Sequence, residues 1–179
     1  MSASTHTAAA PTRSRAATIA EDGLFAGALG GLTVAVFFLI VDVFEGRPLF
    51  TPSLLGSVLF LRESAEAVTS VDIPMVFAYS GVHFAIFVAV GMAAAFMVSE
   101  FEANPSVGLV LLLLFICFEA GFFGVTVGIA PGVIGVLGAW LVGIANLLAA
   151  GAMAAYLLGW SHPGAFRNLD RLWQDGGPD

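Results

Sequence analysis

Glu119, His83, Tyr79 and Asn146 are the residues placed to do chemistry, because each interrupts an otherwise apolar stretch of chain. Glu119 lies within Phe115-Ile116-Cys117-Phe118-Glu119-Ala120-Gly121, and His83 within Tyr79-Ser80-Gly81-Val82-His83-Phe84. A carboxylate at the centre of a bilayer costs about 3 kcal/mol on insertion scales and more on an isolated helix. Glu119 must therefore be neutral, paired or beside water. Intramembrane acids and histidines often mark proton or ion pathways. The same groups can instead lock a bundle together, with Glu119 bonded to His83 or to Asn146. Tyr79 precedes His83 by one turn on the same helix face, where it could extend a proton relay. Thr33 is a polar residue of the first stretch, and it can bond a carbonyl of its own helix.

These residues need elements to carry them. Four apolar stretches, 23–44, 74–98, 107–129 and 132–160, are each long enough to span a bilayer. A spanning helix needs about 20 residues, because each rises about 1.5 Å through a core about 30 Å thick. The expected fold is all-α: an integral membrane four-helix transmembrane bundle with a short interfacial helix in the first loop. Residues 1–22 are expected to form a disordered tail, since they offer little to bury. Residues 161–179 form a second tail, where Phe166, Leu169, Leu172 and Trp173 recur at the spacing of a surface-lying helix. Trp160, Trp173 and Tyr156 fit an interfacial belt.

Helical position gives rough depths. His83 falls about 4–5 Å to one side of the centre of the second stretch, and Glu119 about 1–2 Å to the same side of the third. The two meet only if those helices turn these faces toward each other.

The long first loop carries a second group, Asp42, Glu45 and Arg47, at the end of the first stretch. It reads either as a charged helix terminus or as an ordered docking loop. Gly46 and Pro48 stop the helix before it. Thr51-Pro52 then resembles an N-cap followed by proline at the first helical position, opening a short apolar helix over 53–61. That helix is too short to span, so it is interfacial or re-entrant.

Small residues supply packing signals. Gly27 and Gly31 form one GxxxG pair, and Gly124 and Gly128 another. The last stretch carries Gly132, Gly135, Gly138, Gly143 and Gly151. Small residues allow close helix approach in lipid, so tight packing is expected around this last helix.

Composition removes several functions. Of 179 residues, 59% are hydrophobic and only 11% are charged, against about 25% charged in soluble domains. The chain has no lysine and no basic patch, so no nucleic-acid partner is expected. Cys117 is the lone cysteine and can form neither an internal disulfide nor a redox pair. A bis-histidine haem needs two axial ligands, yet His83 is the only histidine in the stretches. No HExxH, Walker or GxSxG motif is present. No metal and no cofactor is expected.

The partners expected are the lipid bilayer and either other membrane proteins or further copies of the chain. Arg13, Arg15, Arg167 and Arg171 fall on one side of a four-span topology, and Arg47 and Arg62 on the other. The positive-inside rule then puts both tails in the cytoplasm. Residues 42–56, with GRPLFTPSLLG at their centre, resemble a segment of uncharacterised bacterial four-span membrane proteins. The resemblance covers roughly the first two helices and their loop, and implies a bacterial inner-membrane location but no activity. The function expected is a non-enzymatic subunit, accessory or structural, of a larger membrane complex. The alternative is a small proton- or ion-coupled transporter or channel built on the Glu119 and His83 region.

Overall fold

The computed structural model describes residues 14–103, 124, 128 and 131–164. Among them the structure is helical, with no strand. Helix α1 spans Arg15–Phe44, and Ser14 caps it by accepting the Ala17 amide at 3.3 Å. Helix α2 spans Phe50–Gly56 and continues as a wide π turn over Ser57–Leu61. A short 3-10 turn, Ala65–Ala67, leads to helix α3 at Ile73–Ala103. Helix α4 spans Pro131–Leu137, and helix α5 spans Ala139–Tyr156 with a π turn over Leu157–Ser161.

Three of these are long and apolar enough to cross a membrane: α1, α3 and the α5 run Ala139–Ser161. They expose large apolar side chains that water would not favour, with Phe77 at 75% and Leu147 at 74%. The protein is membrane-embedded. The expected span at 107–129, with Glu119 and Cys117, lies outside the described residues apart from Gly124 and Gly128. The surface helix expected around Phe166 and Trp173 also lies outside them.

Two expected boundaries change. Helix α1 begins at Arg15 rather than at residue 23, so residues 15–22 are helical and not a disordered tail. The Ser14 cap and the run Arg15-Ala16-Ala17-Thr18-Ile19-Ala20 explain this, since they supply a start signal and an apolar packing surface. The stretch 132–160 is not one helix. It breaks at Gly138, which has φ of +81°, a conformation open to glycine and costly for other residues. The Gly138 carbonyl then accepts the amides of Leu141 and Val142 and starts α5.

Helix α1 is the common neighbour, with α3 and α5 packed antiparallel to it on two sides. The close approach lies between α1 and α3. A Cβ on Gly91 would fall 2.7 Å from the Gly27 Cα, and one on Gly27 would fall 2.6 Å from the Val88 Cα. Gly31 packs on the Phe84 ring, and Gly30 on Met153 of α5. The tight packing expected around the last helix is thus found on α1. At Gly135, Gly143 and Gly151 an added Cβ would meet no described atom within 4 Å. Helix α5 instead packs through Ala145, Ala149 and Met153.

Two apolar clusters close the bundle. Ala26, Ala95, Met153 and Leu157 form one, toward the Arg15 end of α1. Phe50, Leu54, Ala65, Val68 and Val133 form the other, at the Asp42 end, where α2 packs against α3 and α4 packs on the 3-10 turn.

Candidate functional site

His83 sits where α1 and α3 are packed closely, and it is buried. Its Nε2 lies 3.0 Å from the Gly31 carbonyl oxygen, across the helix interface. A carbonyl can only accept, so Nε2 carries a hydrogen and donates it. Gly31 leaves room for this approach because it has no side chain. The ring is held by aromatic neighbours: Phe87 at 4.8 Å, Phe84 at 5.4 Å and Tyr79 at 5.7 Å between centroids. Tyr79 therefore does lie beside His83, as its position one turn away predicts. Glu119 falls outside the described residues. Asn146 is half-buried on α5. Thr33 bonds the Leu29 carbonyl of its own helix at 2.8 Å.

At the far end of α1, Asp42 is 2% exposed. Its Oδ2 accepts the Thr51 amide at 2.8 Å, and its Oδ1 accepts the Thr51 hydroxyl at 2.6 Å. Thr51 does not cap α2, as its sequence context suggests. Helix α2 begins at Phe50 after Leu49, which adopts φ of +67°, and the cap comes from α1. An aspartate from a neighbouring helix replaces the local side chain because the turn over 45–49 folds α2 back onto Asp42.

Glu45 and Arg47 differ from Asp42. They form an exposed ion pair, and the Arg47 guanidinium lies 4.0 Å over the Phe50 ring. The loop is thus ordered, and its three charges have separate duties. Beside Asp42, a void lined by Phe38, Thr51 and Leu137 has about 10 Å³ of room, about enough for one water.

Ser53 is fully buried and accepts the Asp72 amide at 2.8 Å. Asp72 in turn caps α3 through the Met75 amide at 3.3 Å. Asp42, Ser53 and Asp72 thereby tie α1, α2 and α3 together at one end.

The opposite end holds a group that the sequence reading assigned to tails. Asp22 is buried, and its Oδ1 accepts the Ser161 hydroxyl at 3.0 Å and the Tyr156 hydroxyl at 3.5 Å. His162 Nε2 lies 3.4 Å from Asp22 Oδ2. Tyr156, expected in an interfacial belt, is half-buried here, whereas Trp160 is 82% exposed. Ser161 donates to the Asp22 carboxylate, which differs from the serine-to-imidazole bond of a Ser-His-Asp triad. The signal that could have found this site is the Ser14 cap, which carries helix α1 back through Asp22.

Among the described residues no group of three or more metal-ligating side chains is present. The buried polar side chains with cross-helix bonds are occupied by partners on another element. The chain matches no family model, no curated protein and no solved structure.

Proposed function

We propose that the protein is a non-enzymatic integral membrane subunit, accessory or structural, of a larger membrane complex. The observation that carries this reading is the use made of the buried polar groups. Among the described residues His83, Asp42, Ser53 and Asp22 each join two elements through a hydrogen bond. Interhelical bonds of this kind stabilise membrane bundles by about 0.6–2 kcal/mol each. A scaffold role uses such joints, and it leaves the outer faces for partners. The small-residue face of α5, with Gly143 and Gly151, is one such face among the described residues.

The reading includes a four-span bundle in a bacterial inner membrane, with 107–129 as the remaining span. Two observations support it. Helix α3 ends on the Arg15 side, where Arg15 bonds Ser99, while α4 begins on the Asp42 side beside Ala65 and Glu66. A span over the apolar stretch 107–129 would join these two ends. The Asp22–Ser161 bond also brings the start of α1 and the end of α5 together, and the positive-inside rule favours the cytoplasm for the end that carries more arginines.

A second reading, ion-coupled transport, draws on the break at Gly138 beside the short helix α2. Broken helices near short inserted ones carry binding sites in many transporters. Gentle extraction followed by native mass measurement separates the two readings. Stoichiometric foreign chains fit the subunit, and a small homogeneous oligomer with proton flux in vesicles fits the transporter.

A further inference from the structure

An open apolar groove runs between α1 and α3 at the Arg15 end. It is lined by Ala16, Ile19, Ala20, Met92 and Phe96, and Arg15 and Glu100 stand at its mouth. The open space is about 520 Å³. From Glu100 to Met92 the groove runs about 12 Å along α3, toward the membrane centre. Ala16 and Ala20 contribute only methyl groups to its lining.

The mouth is dipolar. Arg15 bonds Ser99 Oγ through Nε and Nη2 at 3.1 Å, and its Nη2 also reaches Glu100 Oε1. Its Nη1 hydrogens have no partner among the described residues, and its side chain is 57% exposed. The Glu100 side chain is 35% exposed. A cation and an anion thus stand side by side above an apolar slot, where a spanning helix leaves the hydrocarbon core.

We infer that this groove is a binding site for one phospholipid with a primary-amine headgroup, of the phosphatidylethanolamine class. The acyl chain lies along Ile19, Ala20, Met92 and Phe96. The phosphate accepts from Arg15 Nη1, in the charge-assisted geometry that guanidinium favours. The headgroup ammonium donates to the Glu100 carboxylate. A choline headgroup has no N–H to donate, and an anionic glycerol headgroup offers Glu100 no cation. The inference needs only that the protein is membrane-embedded, and it stands whichever function is correct.

The test is native mass spectrometry of the purified full chain after delipidation and re-addition of phosphatidylethanolamine, phosphatidylglycerol or phosphatidylcholine at equal concentration. Phosphatidylethanolamine is expected to be retained at least about tenfold better than the other two, which corresponds to about 1.4 kcal/mol. Ala20→Phe, which fills the slot, is expected to abolish retention of the lipid. Glu100→Gln is expected to remove the preference over phosphatidylcholine. This half-buried, near-isosteric change keeps the proposal testable if Ala20→Phe fails to fold. Equal retention of all three lipids by the unmodified protein would overturn the proposal. So would unchanged retention by a folded Ala20→Phe protein, or an unchanged preference in Glu100→Gln.

Discussion

Asp42, on the last turn of α1, accepts both the amide and the hydroxyl of Thr51 on α2, at 2.8 and 2.6 Å. One carboxylate thereby closes the turn between a spanning helix and a helix too short to span. A backbone donor left unbonded at membrane depth costs several kcal/mol, so a non-spanning helix start needs such a partner. Removing the carboxylate leaves the Thr51 amide buried without its acceptor. Asp42→Ala is expected to lower the unfolding free energy by about 1–3 kcal/mol, read as a fall in thermal midpoint in detergent. Thr51→Val keeps the amide bond and should cost less. If Asp42→Ala and Thr51→Val effects simply add in the double variant, the clasp has no energetic coupling.

The glycines make a contrast that is easy to test. Gly91 meets the α1 backbone, with Gly27 Cα 2.7 Å from where a Cβ would stand, and backbone cannot yield as a flexible side chain can. Gly91→Leu should destabilise the bundle by about 1–3 kcal/mol or prevent its assembly. At Gly143 a Cβ would meet no described atom within 4 Å, and Gly143→Leu should lower the thermal midpoint less than Gly91→Leu. If Gly143 instead faces a partner chain, the variant folds but loses that partner on purification. A folded Gly143→Leu protein that keeps every partner would remove this face from the account.

His83 offers a test of chemistry against structure. Its Nε2 hydrogen goes to the Gly31 carbonyl at 3.0 Å. A glutamine amide can also donate across the interface, and a leucine cannot. His83→Gln should therefore keep part of the stability that His83→Leu loses, a difference of about 0.6–1.7 kcal/mol. A proton site gives no such ranking in function, because neither variant can titrate. Equal loss of a proton flux in both variants, with stability intact, would favour the transport reading.

Asp22 joins the start of α1 to the end of α5 through Ser161 and Tyr156. Asp22→Ala removes the acceptor of both bonds and should free the chain near residue 161. Limited proteolysis from the tail side is expected to cut there faster than in the unmodified protein. Ser161→Ala removes one bond and should have a smaller effect. Identical cleavage rates in all three proteins would contradict the joint.

Much of this architecture is legible in the residues themselves. The apolar length of α1, α3 and α5 announces spanning helices, and Pro52 after a Gly–Pro stop announces the short helix α2. The prolines and apolar residues of the Asp42 loop leave two readings open, a charged helix terminus or an ordered loop. What stays hidden depends on contacts made after folding. The cap of α2 comes from another helix, so no local pattern around Thr51 could reveal it. The break at Gly138 looks like any glycine in a Gly-rich run until its φ is known. Asp22 and His162 are far apart in the chain, and only the antiparallel packing of α1 and α5 brings them within 3.4 Å. His83 shows as polar in an apolar run, but its Gly31 partner is a backbone carbonyl and leaves no signature in side-chain types.

The most direct measurement is the native mass of the protein drawn gently from its own membranes, with every co-purifying chain identified and counted. The account predicts a discrete assembly in which this protein is present in fixed ratio to at least one different membrane protein. A monodisperse oligomer of this chain alone, whose reconstituted vesicles carry a proton flux lost in Glu119→Gln, would contradict it.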